Sequence, residues 1–286
     1  ARATAYRMQR KLGLGAVAVT PPAVEPNIGS VFDALEGETP SRSVPSRLPP
    51  SLFGWLPAPF TPEGRPDWML NPVTGRHFEG ATQPWHRLPD FDLKLGDIKC
   101  IWELSRWTWL PTLALEVKRD GSGQALAQMN DWLADWRRAN PPYVGPNWKC
   151  GQEASIRVMQ LAVAARILGQ SARPSKFLLL LVREHLMRIA PTVSYAISQD
   201  NNHGTSEAAA LFIGGSWIAA GDSDPLAAKW ARTGRDLLEN RVRLLVMSDG
   251  SFSQYSTTYH RLLLDTLSLA EIWRRELRMP CFSPVL

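Results

Sequence analysis

Polar and apolar positions follow a helical period over the last two thirds of the chain. From about residue 97, apolar side chains recur every three or four positions, which is the spacing of an amphipathic helix. The segment Phe177–Val182 is apolar on more than one face, as is typical of a helix buried between others. Seven successive helices with short connections are predicted, over residues 97–109, 124–139, 152–168, 175–190, 203–220, 227–247 and 257–276.

Before residue 97 the pattern is irregular. Residues 3–12 have helical spacing, but the stretch Pro21–Pro72 is rich in Pro, Gly and Ser. Proline removes a backbone donor and clashes inside a helix, so this stretch excludes long helices. We predict an irregular Pro-rich arm, with one or two short strands, packed on a helical core. The chain then divides into an N-terminal arm, residues 1–96, and a helical domain, residues 97–286.

The succession of helices predicts an all-α fold class. Short connections favour antiparallel neighbours. No motif repeats at a fixed period, which argues against TPR, HEAT or ankyrin arrays. Antiparallel pairs with buried inner members indicate an α/α toroid, and a plain helical bundle is the simpler alternative.

Composition and charge narrow the class of partner. The chain has 286 residues, of which 44% are hydrophobic and 21% charged, an ordinary globular balance. The longest apolar or small window, residues 208–221, is shorter than the ~20 residues that span a bilayer, so no membrane insertion is expected. The net charge of +5 favours an anionic partner, and its even spread argues against nucleic acid. Three separated Cys without a CxxC motif predict no metal site.

Polar residues cluster just before the helix predicted at residue 203. Asn201, Asn202 and His203 are followed by Gly204, and Glu207 lies in the next turn. Asn is a favoured helix cap, which is one explanation of the cluster. A glycine also gives a ligand access to the backbone, and amide donors at a helix start bind anions. Capping and ligand binding remain open as alternatives.

A second cluster precedes the last predicted helix. Asp249 and Gly250 form a turn signal, and Ser256 is placed to cap the helix. Tyr259 and His260 then fall in its first turn, beside Arg261. A tyrosine beside two cationic side chains suits proton transfer. The alternative is a tyrosine packed at a helix start.

Two further clusters favour ion pairs and aromatic packing. Glu103 and Arg106 are three residues apart, and Glu153 and Arg157 four apart, which are the spacings of helix-surface ion pairs. Asn147 and Trp148 follow a Pro/Gly loop. Such a Trp is either a sugar platform or, more commonly, a packed core residue.

Taken in order, these motifs resemble those of the heparinase II/III-like polysaccharide lyases, which include heparinase III-like enzymes and some oligoalginate lyases. Each motif alone is weak, but four in one order form a specific signal, and the resemblance covers about residues 90–280. The motifs are Trp-Glu-Leu-x-Arg (102–106), Asn-Pro-Pro…Gly-x-Asn-Trp…Glu…Arg (140–157), Asn-Asn-His…Glu-Ala-Ala…Leu (201–211) and Asp-Gly-Ser…Ser-x-x-Tyr-His (249–260).

The resemblance implies an incomplete α/α toroid followed by an antiparallel β-sandwich. We expect that second domain to be absent from these 286 residues. The family takes another catalytic His or Tyr from it, and often a metal, so no cofactor is expected here. The residues that follow Ala1 do not have the pattern of a secretory leader, and a removed leader stays open; the resemblance favours the periplasm. The oligomeric state and the individual polymer remain open.

The resemblance also implies a reaction, the β-elimination of a uronic-acid polysaccharide. Asn202 matches the asparagine that neutralises the uronate carboxylate, Tyr259 the catalytic acid, and His203 a neighbour that assists as neutraliser or base. The alternatives are a carbohydrate-binding or exopolysaccharide-assembly protein without turnover, and a glycoside hydrolase. The substrate-binding candidates are Trp148, Asn147, Glu103, Arg106, Glu207 and His260.

Overall fold

A computed structural model describes residues 4, 6, 8, 9, 28–35, 51–79, 81–89, 91–221 and 223–284. Most of the helix predicted over residues 3–12 lies outside this part. Two compact units are present. The N-terminal unit comprises Pro21–Glu153 and Gln160–Leu181, and the C-terminal unit comprises Ala1–Thr20, Ala154–Met159 and Val182–Leu286. The division into an arm (1–96) and a helical domain (97–286) stays a prediction.

Three small antiparallel hairpins lie within residues 51–97 of the N-terminal unit. They pair β1 (Ser51–Leu52) with β2 (Leu56–Pro57), β3 (Leu70–Asn71) with β4 (Arg76–His77), and β5 (Phe91–Asp92) with β6 (Gly96–Asp97). We expected one or two strands. Strands of two residues are too short to show the alternation by which a strand is recognised in a sequence.

Helices α1 (Lys99–Ser105), α2 (Trp109–Asp120), α3 (Gly123–Ala139) and α4 (Gly151–Ile167) follow. The helix predicted over residues 97–109 ends early, and α2 is an additional helix. The break falls at Trp107, whose φ is 59°, a left-handed conformation that costs a bulky residue energy. The Trp107 indole is fully buried and meets Trp136 edge to face at 4.8 Å. This packing determines the turn at Trp107, and the spacing of apolar residues in the sequence does not predict it.

The C-terminal unit contains α5 (Lys176–Ile189) from Val182 onward, α6 (Val193–Ile197), α7 (Asn202–Gly221), α8 (Pro225–Leu245) and α9 (Thr257–Glu276). The predicted bounds of α9 are confirmed, because Ser256 accepts a hydrogen bond from the Tyr259 N–H as an N-cap does. Helix α7 is buried on nearly every face.

Helices α7 and α8 pack with their backbones almost in contact. A Cβ at Gly234 of α8 would lie 2.3 Å from the Phe212 nitrogen of α7, and one at Gly215 of α7 would lie 2.5 Å from the Ala231 nitrogen of α8. The glycines therefore permit the close approach. An isolated bridge between Val246 and Phe252 closes the loop that leads toward α9.

The all-α fold class is confirmed, since the described residues are mostly helical and their strands are few and short. Among the helices the structure describes, none has the length and apolar character needed to cross a membrane.

Candidate functional site

Residues 102–106 of the first motif and residues 140–153 of the second meet in the N-terminal unit; we call them the N-terminal motif pair. The Trp102 indole N–H donates to the Pro146 carbonyl at 2.9 Å. Arg106 forms a bidentate ion pair with Glu153. Its Nε donates to Oε2 at 2.8 Å, and its Nη2 donates to Oε1 at 3.0 Å. Arg106 also donates to Glu103, so the predicted pair of those two residues is confirmed and extended.

Two carboxylates share the positive charge of Arg106. Burial opposes the charged guanidinium, but the hydrogen bonds and the charge of Glu153 outweigh it and raise the pKa of Arg106 above its ordinary value. The Glu153 side chain is only 5% exposed, and that of Arg106 is 29% exposed. An anionic ligand at Arg106 therefore has to compete with Glu153 and Glu103. Substrate binding by Glu103 and Arg106 stays a prediction.

Asn147 and Trp148 lie in the core of the N-terminal unit, and neither has exposed surface. The Asn147 amide donates to Asn140 Oδ1 at 2.8 Å and to the Trp68 carbonyl at 3.2 Å. The Trp148 indole donates to the Asn140 carbonyl at 3.0 Å. These contacts are those of packed core residues. Of the two alternatives for Trp148, a sugar platform and a packed residue, they favour the second. Their role in substrate binding stays a prediction.

Arg157, the expected partner of Glu153, has another contact within the C-terminal unit. Its Nε donates to His185 Nε2 at 2.8 Å, and both side chains are fully buried. Accepting this bond requires a neutral His185 with its proton on Nδ1. This contact braces α4 against α5 in that unit.

The other two motifs meet in the C-terminal unit; we call them the C-terminal motif pair (residues 201–211 and 249–260). Asn201 Oδ1 accepts the His203 N–H at 2.9 Å, so the capping explanation is confirmed for Asn201. The Asn202 N–H donates to Gln254 Oε1 at 2.8 Å, across 52 residues. This bond joins the start of α7 to the segment that leads into α9.

The Asn202 carboxamide is not used for capping. Asn202 is 3% exposed, and its backbone forms two hydrogen bonds: its N–H donates to Gln254, and its carbonyl accepts from Thr205 Oγ1. Within the part of the chain that the structure describes, no hydrogen bond involves its side chain. A nearly buried amide with two donors and an acceptor is thus available to a polar ligand.

Tyr259 projects from the first turn of α9 and is 42% exposed, while His260 beside it is half-buried. Helices α7 and α9 pack against each other, with α7 as the buried member. The structure thus joins the segment of Asn202 and His203 to the one just before Tyr259. The catalytic roles of these three residues, and substrate binding by His260 and by the buried Glu207, stay predictions.

Arg241 of α8 is a contributor that the motifs did not reveal. Its Nη1 donates to the Ile197 carbonyl at 3.1 Å and to Asp200 Oδ1 at 2.6 Å, just before Asn202. Its Cδ would lie 3.1 Å from a Cβ at Gly204, so this arginine fills the space we had assigned to an approaching ligand. Close packing against Arg241 therefore explains Gly204, and no sequence motif links these two residues.

Two acidic residues near the C-terminal motif pair are engaged by neighbouring protein groups. Asp200 is bound to Arg241. Hydrogen bonds from the Ser251 side chain and backbone hold the pKa of Asp249 below its ordinary value, whereas a general acid needs a raised pKa. No group of three or more His, Cys, Asp or Glu among the described residues is arranged to hold a metal ion.

The described residues define a mainly helical protein in which Asn202 and Tyr259 lie in the first turns of two helices that pack together. A family model described as Heparinase II/III N-terminus matches residues 54–276, most of the chain. The chain therefore belongs to the heparinase II/III family, whose members are polysaccharide lyase-like. No curated protein and no solved structure matches it.

Proposed function

We propose that this protein is a polysaccharide lyase that cleaves a uronic-acid-containing polysaccharide by β-elimination, on an incomplete α/α toroid. The observation that carries the proposal is the hydrogen bond between the Asn202 N–H and Gln254 Oε1. It brings the start of α7, with Asn202 and His203, against the segment five residues before Tyr259. Family membership supports the class of reaction.

Elimination has three chemical requirements. The C5 proton of a uronate is weakly acidic because the adjacent carboxylate is charged, so that charge must be neutralised. A base then takes the proton, and the C5–H electron pair becomes the C4–C5 double bond. The C4–O4 bond breaks with its electron pair on the glycosidic oxygen, which accepts a proton.

Asn202 suits the first requirement. Its carboxamide is neutral at every pH, donates two hydrogen bonds and is held at the start of a buried helix, where donors favour negative charge. Donors preorganised toward developing charge contribute about 3 to 4 kcal/mol each. His203, one residue further on, supplies a second donor or the base.

Tyr259 suits the proton transfer to the leaving oxygen. Its exposed ring gives a polymer access, and the N-terminal end of α9 favours the negative charge that the phenolic oxygen carries after donating its proton. If the same oxygen has first taken the C5 proton, the residue ends the cycle unchanged. The net charge of +5 favours an acidic polymer.

The toroid is supported by the helix arrangement in the C-terminal unit. Helix α7 is buried almost throughout, whereas its neighbours α8 and α9 each bury one face. A buried inner helix with amphipathic neighbours is the pattern expected of a layered helical barrel.

The test is the ultraviolet absorbance of the product. Heparan-type, alginate-type and bacterial exopolysaccharide uronates are each incubated with the full chain, and absorbance and reducing ends are followed together. Elimination raises both, because the new double bond is conjugated with the carboxylate. Reducing ends without absorbance would show a hydrolase, and binding with neither would show a non-catalytic carbohydrate-binding protein.

A further inference from the structure

The contact between Gln254 and Asn202 has a function of its own. We infer that Gln254 is a positioning residue: by holding the backbone of Asn202, it fixes the side-chain carboxamide of Asn202 relative to Tyr259 for elimination. The inference rests on the proposed function. Gln254 touches no reacting atom in this role. It acts through the backbone of Asn202, and three features of the C-terminal unit support it.

The first feature is the nature of the bond. The N–H groups in the first turn of a helix have no partner inside the helix. At the start of α7 the His203 N–H is capped locally by Asn201, but the Asn202 N–H donates to a side chain 52 residues away. A backbone N–H only donates, so the amide oxygen of Gln254 has to face it. The bond therefore fixes the orientation of the Gln254 side chain.

The second feature is the attachment of Gln254 to α9. The Ser256 N–H donates to the Gln254 carbonyl at 2.6 Å, and Ser256 in turn accepts the Tyr259 N–H. The backbone of Gln254 is thus tied to the cap of α9, and its side chain to the first residue of α7. A short, hydrogen-bonded path connects the two helix starts.

The third feature is a second attachment on the other side of the same segment. Asp200 has a φ of 48°, a strained conformation for a residue with a side chain, and Arg241 holds its carboxylate and the Ile197 carbonyl. The turn before Asn202 is therefore fixed without Gln254. Loss of Gln254 should release the direction of Asn202 but not unfold the segment.

The side-chain chemistry of Gln254 sets the design of the test. Methionine has a similar length and no acceptor, so Gln254→Met removes the bond with little change in volume. Glutamate keeps an acceptor oxygen and adds a negative charge, so Gln254→Glu retains the bond and repels a uronate. The half-buried position tolerates both changes. Gln124→Met, on an exposed position of α3, is the matched control.

We expect the two variants to separate kcat from KM. A misplacement of about 1 Å costs on the order of 10²-fold in rate, so Gln254→Met should lower kcat ~10- to 100-fold with KM within about 3-fold. Gln254→Glu should keep kcat within about 3-fold and raise KM, more so at low salt because the repulsion is then less screened. Gln124→Met should match the parent.

Amide hydrogen exchange gives a readout that does not depend on turnover. The Asn202 N–H should exchange faster in Gln254→Met and stay protected in Gln254→Glu. Parent-like kcat in Gln254→Met, or equal loss of kcat in both variants, would overturn the inference, as would unchanged exchange in Gln254→Met. A parent chain that forms no unsaturated product on any uronate contradicts the proposed function; faster exchange in Gln254→Met would then leave Gln254 only a structural contact.

Discussion

The two motif pairs use the same kinds of side chain for different ends. In the N-terminal pair, the Asn147 amide and the Arg106 guanidinium are bound to other protein groups, and Trp148 is fully buried. In the C-terminal pair, the Asn202 carboxamide has no hydrogen bond among the described residues, and Tyr259 is 42% exposed. The first pair has the contacts of a brace, and the second pair has the features that the proposed site requires.

This difference shows that a motif match is not enough to assign a role. Asn147 and Asn202 both lie in family motifs and both are nearly or fully buried. What separates them is the hydrogen bonding of the carboxamide. That of Asn147 donates to Asn140 and Trp68, and that of Asn202 has no hydrogen bond among the described residues. Each prediction below tests that separation.

Among the variants that compare the two motif pairs, the largest expected effect is that of Asn202→Ala on turnover. Loss of one donor to the uronate carboxylate should lower kcat ~10²- to 10³-fold, or about 3 to 4 kcal/mol in the barrier. The free energy of unfolding should change little, because the lost amide has no described partner. The measurements are the rise in ultraviolet absorbance and the denaturation midpoint.

Asn147→Ala is the matched comparison for that variant. It leaves the buried Asn140 Oδ1 without its donor, so stability should fall by about 1 to 3 kcal/mol. If instead Asn202→Ala were the destabilised variant and Asn147→Ala the stable one, the contrast between brace and site would be wrong.

Arg106→Met should destabilise the N-terminal unit by about 2 to 3 kcal/mol. It leaves the 5%-exposed Glu153 without its counterion, and breaking a fully buried pair costs about 3 to 5 kcal/mol. The expected loss is smaller because Arg106 is 29% exposed. Denaturant unfolding measures it, with Arg119→Met on the exposed Arg119–Asp120 pair as the control. Equal losses for the two variants would contradict the bracing role.

Gly234→Ala should destabilise the scaffold behind Asn202 by about 1 to 3 kcal/mol. The new methyl group would lie 2.3 Å from the Phe212 nitrogen, so α7 and α8 have to move apart. Gly123→Ala at the start of α3 is the control, since nothing lies within 4 Å of its Cβ position. The control should be neutral or stabilised by about 0.5 kcal/mol. A stabilised Gly234→Ala would show that the two helices are not in close contact.

The smallest expected effect concerns Asp224, the N-cap of α8. Hydrogen bonding to Arg183, and then to the Leu226 and Ala227 N–H groups, lowers the pKa of Asp224. A group whose pKa is lowered in the folded state stabilises the fold at pH values above the ordinary Asp pKa. This stabilisation is lost as the pH falls through the pKa of the folded state. Asp224→Asn should therefore cost about 1 kcal/mol or less near pH 7, and this cost should shrink as the pH falls below the ordinary Asp value. A cost that grew toward low pH would contradict this sign.

The sequence predicted those helix ends that depend on hydrogen bonds between near neighbours in the chain. The bounds of α9 follow from Ser256 as a cap, and the end of α4 follows from Gly169, whose φ is 70°. The break at Trp107 depends on its contact with Trp136, which is distant in the sequence. The apolar residues keep a helical spacing beyond Trp107, so the pattern does not show the break.

The candidate site was predicted only in part, because some of its residues are held by partners that are distant in the sequence. Family motifs named Asn202 and Tyr259, but not the residues that hold them. Gln254 acts across 52 residues and Arg241 across 41, and neither spacing is a recognisable motif. Burial of Trp148 and Asn147 likewise depends on packing that no single motif encodes.

The most direct test of the account is the turnover of Tyr259→Phe on a uronate polymer that the parent chain cleaves. Phenylalanine keeps the ring and removes only the transferable proton, so folding and polymer binding should match the parent. General acid–base groups contribute ~10²- to 10⁴-fold in rate, and the rise in ultraviolet absorbance should slow by that factor. A parent-like rate of absorbance increase would contradict the assignment of Tyr259, and with it the C-terminal motif pair as the catalytic site.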